Sequence, residues 1–218
     1  MFIVIEKGMI KVSTAYERIV HWYLALTCLL LIVSGLSMMF HSFNFIGVPF
    51  GGLKNLKAIH NFTGLLFIPA LLLAAITWWK EAGIFNLPGD IEWLKKAGGY
   101  LWKVDKVPET GKYNPGQKIF FLTIVVFGLA MIVSGLLICY SEGQSKSLIN
   151  WMYALHALGV VVIFSFIIIH IYLGTVGVPG LTSVVFSGYT TRDWCLSKMP
   201  KWLREKEKDG TLEVFNGD

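Results

Sequence analysis

The stretch YALHALGVVVIFSFIIIHIYLG, Tyr153 to Gly174, is almost uniformly apolar, is long enough to cross a bilayer, and still carries two histidines, His156 and His170. A hydrocarbon core about 30 Å thick takes about 20 residues of helix, so the stretch reads as part of a transmembrane helix over about 148–175. Three more apolar segments meet the same length, at about 19–40, 58–79 and 119–140. Composition agrees. The chain is 55% hydrophobic and only 15% charged, with a mean hydropathy of +0.60, too apolar for an ordinary soluble domain. The expectation is an all-α integral membrane protein, a four-transmembrane-helix bundle forming one membrane domain over 1–218. Short loops join helices 1 to 2 and 3 to 4, and a longer one, 80–118, joins 2 to 3. A tail follows over 176–218.

The net charge of +5 does not call for nucleic acid, because the basic residues sort by loop. Sixteen of the nineteen Lys and Arg lie before the first span, between Lys80 and Lys118, or after Thr191; Lys54, Lys57 and Lys146 are the other three. The positive-inside rule then places the N-terminus, the C-terminus and loop 80–118 in the cytoplasm. The residues ahead of the first span lack the basic start, short apolar run and small-residue cleavage site of a secretory signal, so that span is expected to be retained. Cys28, Cys139 and Cys195 fit no metal or redox spacing and read as packing residues. Pro69 should kink the second helix. The segment EWLKKAGGYLWK should lie as a short interfacial helix, with Trp93 and Trp102 at headgroup level. The basic run PKWLREKEKDG reads as a solvated amphipathic tail.

Ionisable residues inside a membrane segment are costly, which makes them functional hypotheses. His156 and His170 are 14 residues apart, about 40° short of four full helical turns and about 21 Å along the axis. They therefore share a face, one near each side of the membrane. His21 opens the first helix on the inner side and His60 the second on the outer side. Depth pairs His21 with His170 and His60 with His156. Neutral imidazole is a good axial ligand for haem iron, and no CxxCH is present for covalent attachment. Two b-type haems follow. Gly35 and Gly135, each in a copy of the pentapeptide IVSGL, should lie at the height of the outer pair, and Gly64 and Gly159 about a turn beyond His60 and His156. Such glycines make room for a wide ring or for close helix packing. Arg18 and Lys57 each precede a histidine by three residues, where they would meet haem propionates or serve as interfacial anchors. His41 falls past the outer boundary and reads as a surface residue. A proton-conducting or transport bundle without haem is the alternative use of these histidines.

Several segments together now give a resemblance: ERIVHW, AIHNFTG, GKYNPGQK, ALHALG, IIIHIYLG and PKWLREKEK. The chain resembles the gamma subunit, a cytochrome b, of membrane-bound respiratory formate dehydrogenases, from about Glu17 to the tail. Cytochrome subunits of related molybdopterin-enzyme complexes share similar motifs. The resemblance implies inner-haem ligands His21 and His170, outer-haem ligands His60 and His156, and a quinone site at Asn114, Gly116 and Gln117 with His170 nearby. Read from the residues alone, Asn114 with Pro115 after it is also a helix N-cap. The resemblance further implies an iron–sulfur beta subunit and a molybdopterin (Mo or W) catalytic alpha subunit as partners. It implies the bacterial cytoplasmic (inner) membrane as location, and menaquinone or another quinone as electron acceptor. The same architecture could serve a hydrogenase or a thiosulfate or polysulfide reductase.

Overall fold

A computed structural model describes residues 5–86 and 89–217. Its elements in chain order are β1 (Ile10–Lys11), α1 (Ala15–Met39), α2 (Leu53–Ala82), α3 (Gly89–Lys95), α4 (Pro115–Cys139), α5 (Lys146–Tyr172), α6 (Leu181–Phe186), β2 (Tyr189–Thr190), α7 (Arg192–Lys198) and α8 (Pro200–Lys208). Among the described residues four helices are long and apolar enough to cross a membrane: α1, α2, α4, and α5 with its π-helical continuation Leu173–Gly177. The helices start a turn or so before the apolar segments do, because polar residues form their first turns. At α1 Thr14 and Glu17 cap one another: the Thr14 amide donates to Glu17 Oε2 (2.7 Å) and the Glu17 amide to Thr14 Oγ1 (3.1 Å). His41–Phe50 forms a 3-10 stretch in which His41 is exposed, its Nδ1 2.7 Å from the Asn44 amide nitrogen.

Two compact units make up the chain. One comprises Ile19–Thr77 and Thr123–Ile168. Here apolar helices pack through small residues: Ala70 and Ala74 are fully buried, and Gly128 leaves room for Leu71, whose side chain a Cβ would meet at 2.8 Å. Helix α2 runs through Pro69 to Ala82 without ending. Proline crowds the carbonyls of the preceding turn, and one of them, Leu66 O, accepts from the Tyr23 hydroxyl at 2.9 Å. The Thr27 hydroxyl satisfies itself on the preceding turn, donating to Tyr23 O (2.9 Å), whereas the fully buried Ser37 Oγ has no partner among the described residues.

The other unit comprises Met1–Arg18, Trp78–Leu122 and Ile169–Asp218. Strands β1 and β2 pair antiparallel, Ile10 opposite Thr190, and Ile10 also bridges to Val214. Beneath them lies a core of Ile10, Val12, Val184, Cys195, Met199, Trp202 and Leu203. The expected solvated tail is therefore corrected. Helix α8 is amphipathic, but its apolar residues Trp202 and Leu203 are buried, with only its charged face open. Two further expectations change. Trp93 is buried rather than interfacial, because Gly98, at φ 60°, and Gly116 leave space for its indole; only Trp102 is exposed. Cys139 is exposed, so packing describes only Cys28 and Cys195.

Candidate functional site

Helices α2 and α5 bring His60 and His156 together, their ring centroids 6.4 Å apart and their planes inclined at 62°. Each ring is held in the same way by a neighbouring helix. Ser34 Oγ of α1 lies 2.8 Å from His60 Nδ1, and Ser134 Oγ of α4 lies 2.8 Å from His156 Nδ1. The next residue is a glycine in both cases. A Cβ on Gly35 would stand 3.4 Å from His60 Cε1, and one on Gly135 3.3 Å from His156 Cε1. The duplicated IVSGL is thus a duplicated cradle: a hydroxyl for one ring nitrogen beside a bare Cα where the ring edge passes. Sequence reading used the repeat for its glycines and missed its serines. Both are buried, 4% and 0% exposed, and the signal lay in their adjacency to Gly35 and Gly135 in the repeat.

These residues fit a haem. Two metal–imidazole bonds of about 2.0–2.1 Å, with roughly 1 Å from each ring centre to its nitrogen, span about 6 Å, close to the 6.4 Å found. Among the described residues no group of three or more His, Cys, Asp or Glu could hold a bare ion. A haem brings its equatorial nitrogens and asks the protein only for axial ligands. Gly159 is not part of this cradle, since Met131 packs into the space above it, and Gly64 faces open space.

His21 and His170 fall in different units. His21, half-buried, meets Trp22 edge-on at 5.3 Å. His170 is exposed and stacks flat on Phe120, centroids 4.3 Å apart and planes 2° apart. Phe120 sits three residues after Gln117, on the same side of the first turns of α4. The GKYNPGQK loop and His170 thereby share one neighbourhood through Phe120, a residue that sequence reading did not single out.

In that loop Asn114 and Gln117 cap α4 reciprocally: the Gln117 amide donates to Asn114 Oδ1 (3.0 Å) and the Asn114 amide to Gln117 Oε1 (2.9 Å). Both side-chain oxygens are thus occupied by the cap. Each side chain keeps an NH2 group, which can only donate. Gly116 carries Trp93 against it, 3.3 Å from where a Cβ would stand, so its bare Cα serves packing. Lys118 is ion-paired with Asp90 at 2.7 Å, both nearly buried. Lys112 lies between two carboxylates, 2.6 Å from Glu17 and 3.2 Å from Glu81, and 5.6 Å above the Tyr113 ring. Burial first, and then the charges of Glu17 and Glu81, push the Tyr113 phenol well above its usual range. Arg18 donates to Ser13 O (3.0 Å) and passes tightly against Gly188, so part of its guanidinium holds the N-terminal turn. Lys57 is exposed on α2.

The family described as prokaryotic cytochrome b561 matches residues 12–188. The cytochrome b556(fdo) subunit of formate dehydrogenase from Escherichia coli strain K12 is 30% identical over 198 residues, covering 89% of this chain and 92% of that one. The formate dehydrogenase cytochrome b556 subunit of Haemophilus influenzae is 29% identical, covering 87% and 80%. A probable Ni/Fe-hydrogenase B-type cytochrome subunit of Rhizobium leguminosarum bv. viciae is 28% identical, covering 78% and 82%.

Proposed function

The chain belongs to the prokaryotic cytochrome b561 family, and from that premise we propose that it is the dihaem cytochrome b subunit of a formate dehydrogenase complex in the bacterial cytoplasmic membrane. It takes electrons from an outer iron–sulfur beta subunit, itself fed by a molybdopterin alpha subunit, and delivers them to a quinone, menaquinone foremost, on the cytoplasmic side. Both chain termini and loop 80–118 lie in the cytoplasm. The observation that carries the reading is the facing His60–His156 pair, each ring backed by the same Ser–Gly step.

Haem iron supplies reversible one-electron transfer when bound. The chain's residues do the rest. His60 and His156 would hold the outer iron, and the resemblance assigns His21 and His170 to the inner one. Arg18, through the donors it does not spend on Ser13, and Lys57 offset propionate charge. The NH2 groups of Asn114 and Gln117 donate to quinone carbonyls, with Gly116 keeping the turn slim between them and His170 beside them. Moving an electron inward against the membrane potential costs about 2.3 kcal/mol per 100 mV, which a strongly reducing donor such as formate supplies. A second reading keeps the architecture and changes the donor to hydrogen, and the similarity to a hydrogenase cytochrome subunit favours it as runner-up.

Purified protein reduced with dithionite should show a sharp b-type alpha band and two haems per chain; absence of the band leaves a haem-free transporter. Asn114→Ala and Gln117→Ala should each raise the KM for quinone about three- to tenfold, the worth of one neutral hydrogen bond, with haem content intact. An unchanged KM in both would remove the quinone from this loop. Co-purification with a formate-oxidising or a hydrogen-oxidising subunit separates the two donors.

A further inference from the structure

Which nitrogen of His60 and His156 carries the proton decides whether either ring can bind iron through Nε2, and the structure contains the answer in its serines. Ser34 Oγ lies 2.6 Å from Leu30 O, and Ser134 Oγ lies 2.7 Å from Ala130 O. A carbonyl oxygen can only accept, so each hydroxyl proton points back along its own helix. What the serine oxygen then offers the imidazole 2.8 Å away is a lone pair. The hydrogen bond closes only if Nδ1 carries the proton. A neutral imidazole has one proton, so Nε2 is bare.

We propose that Ser34 and Ser134 are positioning residues that lock His60 and His156 as Nδ1–H tautomers, presenting both Nε2 lone pairs to a single iron. Orientation and electronics come from the same contact. The glycine that follows each serine lets the ring edge approach to 3.4 and 3.3 Å of a Cβ position, so the ring cannot drift from its hydroxyl without losing its packing. A partner that accepts from Nδ1–H raises the basicity of the ligating nitrogen, which favours the oxidised iron and lowers the potential of the outer haem. The bland alternative is two serines satisfied by their own backbone, with imidazoles nearby by coincidence. The arrangement occurs twice, at equal distances, in two helices.

The inference rests on the reading of His60 and His156 as ligands, and the test keeps the two apart. The full chain, prepared haem-free with 15N-labelled histidine, should show His60 and His156 as neutral Nδ1–H tautomers by NMR. An Nε2–H tautomer at either position overturns the proposal whatever binds there. Ser134→Ala should move His156 toward the Nε2–H tautomer, whereas Ser134→Thr, which keeps the hydroxyl, should not; at His60 the Leu31 carbonyl also accepts from the ring, so Ser34→Ala should move that ring less. In loaded protein Ser34→Ala should raise the reduced-to-oxidised ratio of the outer haem, at fixed poise, about three- to tenfold, the size of one hydrogen bond, and leave the inner haem unchanged. Ser134→Ala should do the same through His156. An unchanged tautomer and an unchanged ratio in both alanine variants overturn the proposal. Retention of both haems in His60→Ala would instead overturn the ligand assignment.

Discussion

Replacing His156 with alanine should leave the chain with one haem in place of two. On the proposed assignment the imidazole would supply one of two nitrogens to the iron, and no other described His, Cys, Asp or Glu joins this pair to form a group of three. Its loss also strips Ser134, fully buried, of its ring partner. A pyridine haemochrome assay should fall from two haems per chain to one. The remaining spectrum should be that of a single six-coordinate b-type centre, because the residues proposed for the inner haem are unchanged. On the proposed route electrons would enter at the outer centre, so quinone reduction by the complex should stop while dye-linked oxidation of the donor by the partner subunits should persist. His60→Ala should reproduce every part of this. Gly135→Leu should reach the same end by another route, placing a side chain where His156 Cε1 would lie 3.3 Å from the first carbon alone. Retention of two haems in His156→Ala, or equal loss of quinone and dye activity, would break the assignment.

Lys112→Met should loosen the segments that Lys112 ties together. Its ammonium lies 2.6 Å from Glu17 and 3.2 Å from Glu81, and the Lys112 and Glu17 side chains are only 12% and 13% exposed. Surface ion pairs count for little, but removing one partner of a buried pair strands the other charge at a cost of about 3–5 kcal/mol. Glu81 is 43% exposed, which lets water reach one edge of the cluster, so about 3 kcal/mol is the expected loss. Amide exchange at Thr14 and Glu17, whose mutual cap depends on the same carboxylate, should quicken on the order of a hundredfold, since 1.4 kcal/mol is a factor of ten. Pairing the change with Glu17→Gln should recover most of it, because the stranded charge is then gone. Exchange that stays at the native rate in Lys112→Met would show that the cluster contributes nothing.

The four spans were readable because each needs only a local property, twenty or so apolar residues in a row, and among the described residues four helices have that character. The pairing of His60 with His156 was readable because depth follows from residue count along a helix. The serines behind those rings were not. Knowing that Ser34 meets His60 requires the rotational phase of two helices about one another, which 3.6-fold periodicity within either helix does not contain. The cap around Ile10, Val184 and Leu203 was hidden for a different reason. Its members come from opposite ends of the chain, each in a segment too short to show a period, so the charged run of α8 looked like solvated surface. Trp93 was misplaced because an aromatic beside a membrane span reads as an interface anchor, whereas Gly98 and Gly116 had opened a pocket for it.

The bridge of Ile10 to Val214 has a consequence of parity. The Lys11 amide donates to Glu213 O (2.9 Å) and the Phe215 amide to Met9 O (2.8 Å), so the segments before the first span and after the last are laced to each other by their own backbones. Hydrogen bonds of that kind cannot be made through a bilayer, and a thread whose ends meet on one shore has crossed the water an even number of times. Recasting any single span as a surface-lying helix would leave three crossings and pull the lace apart.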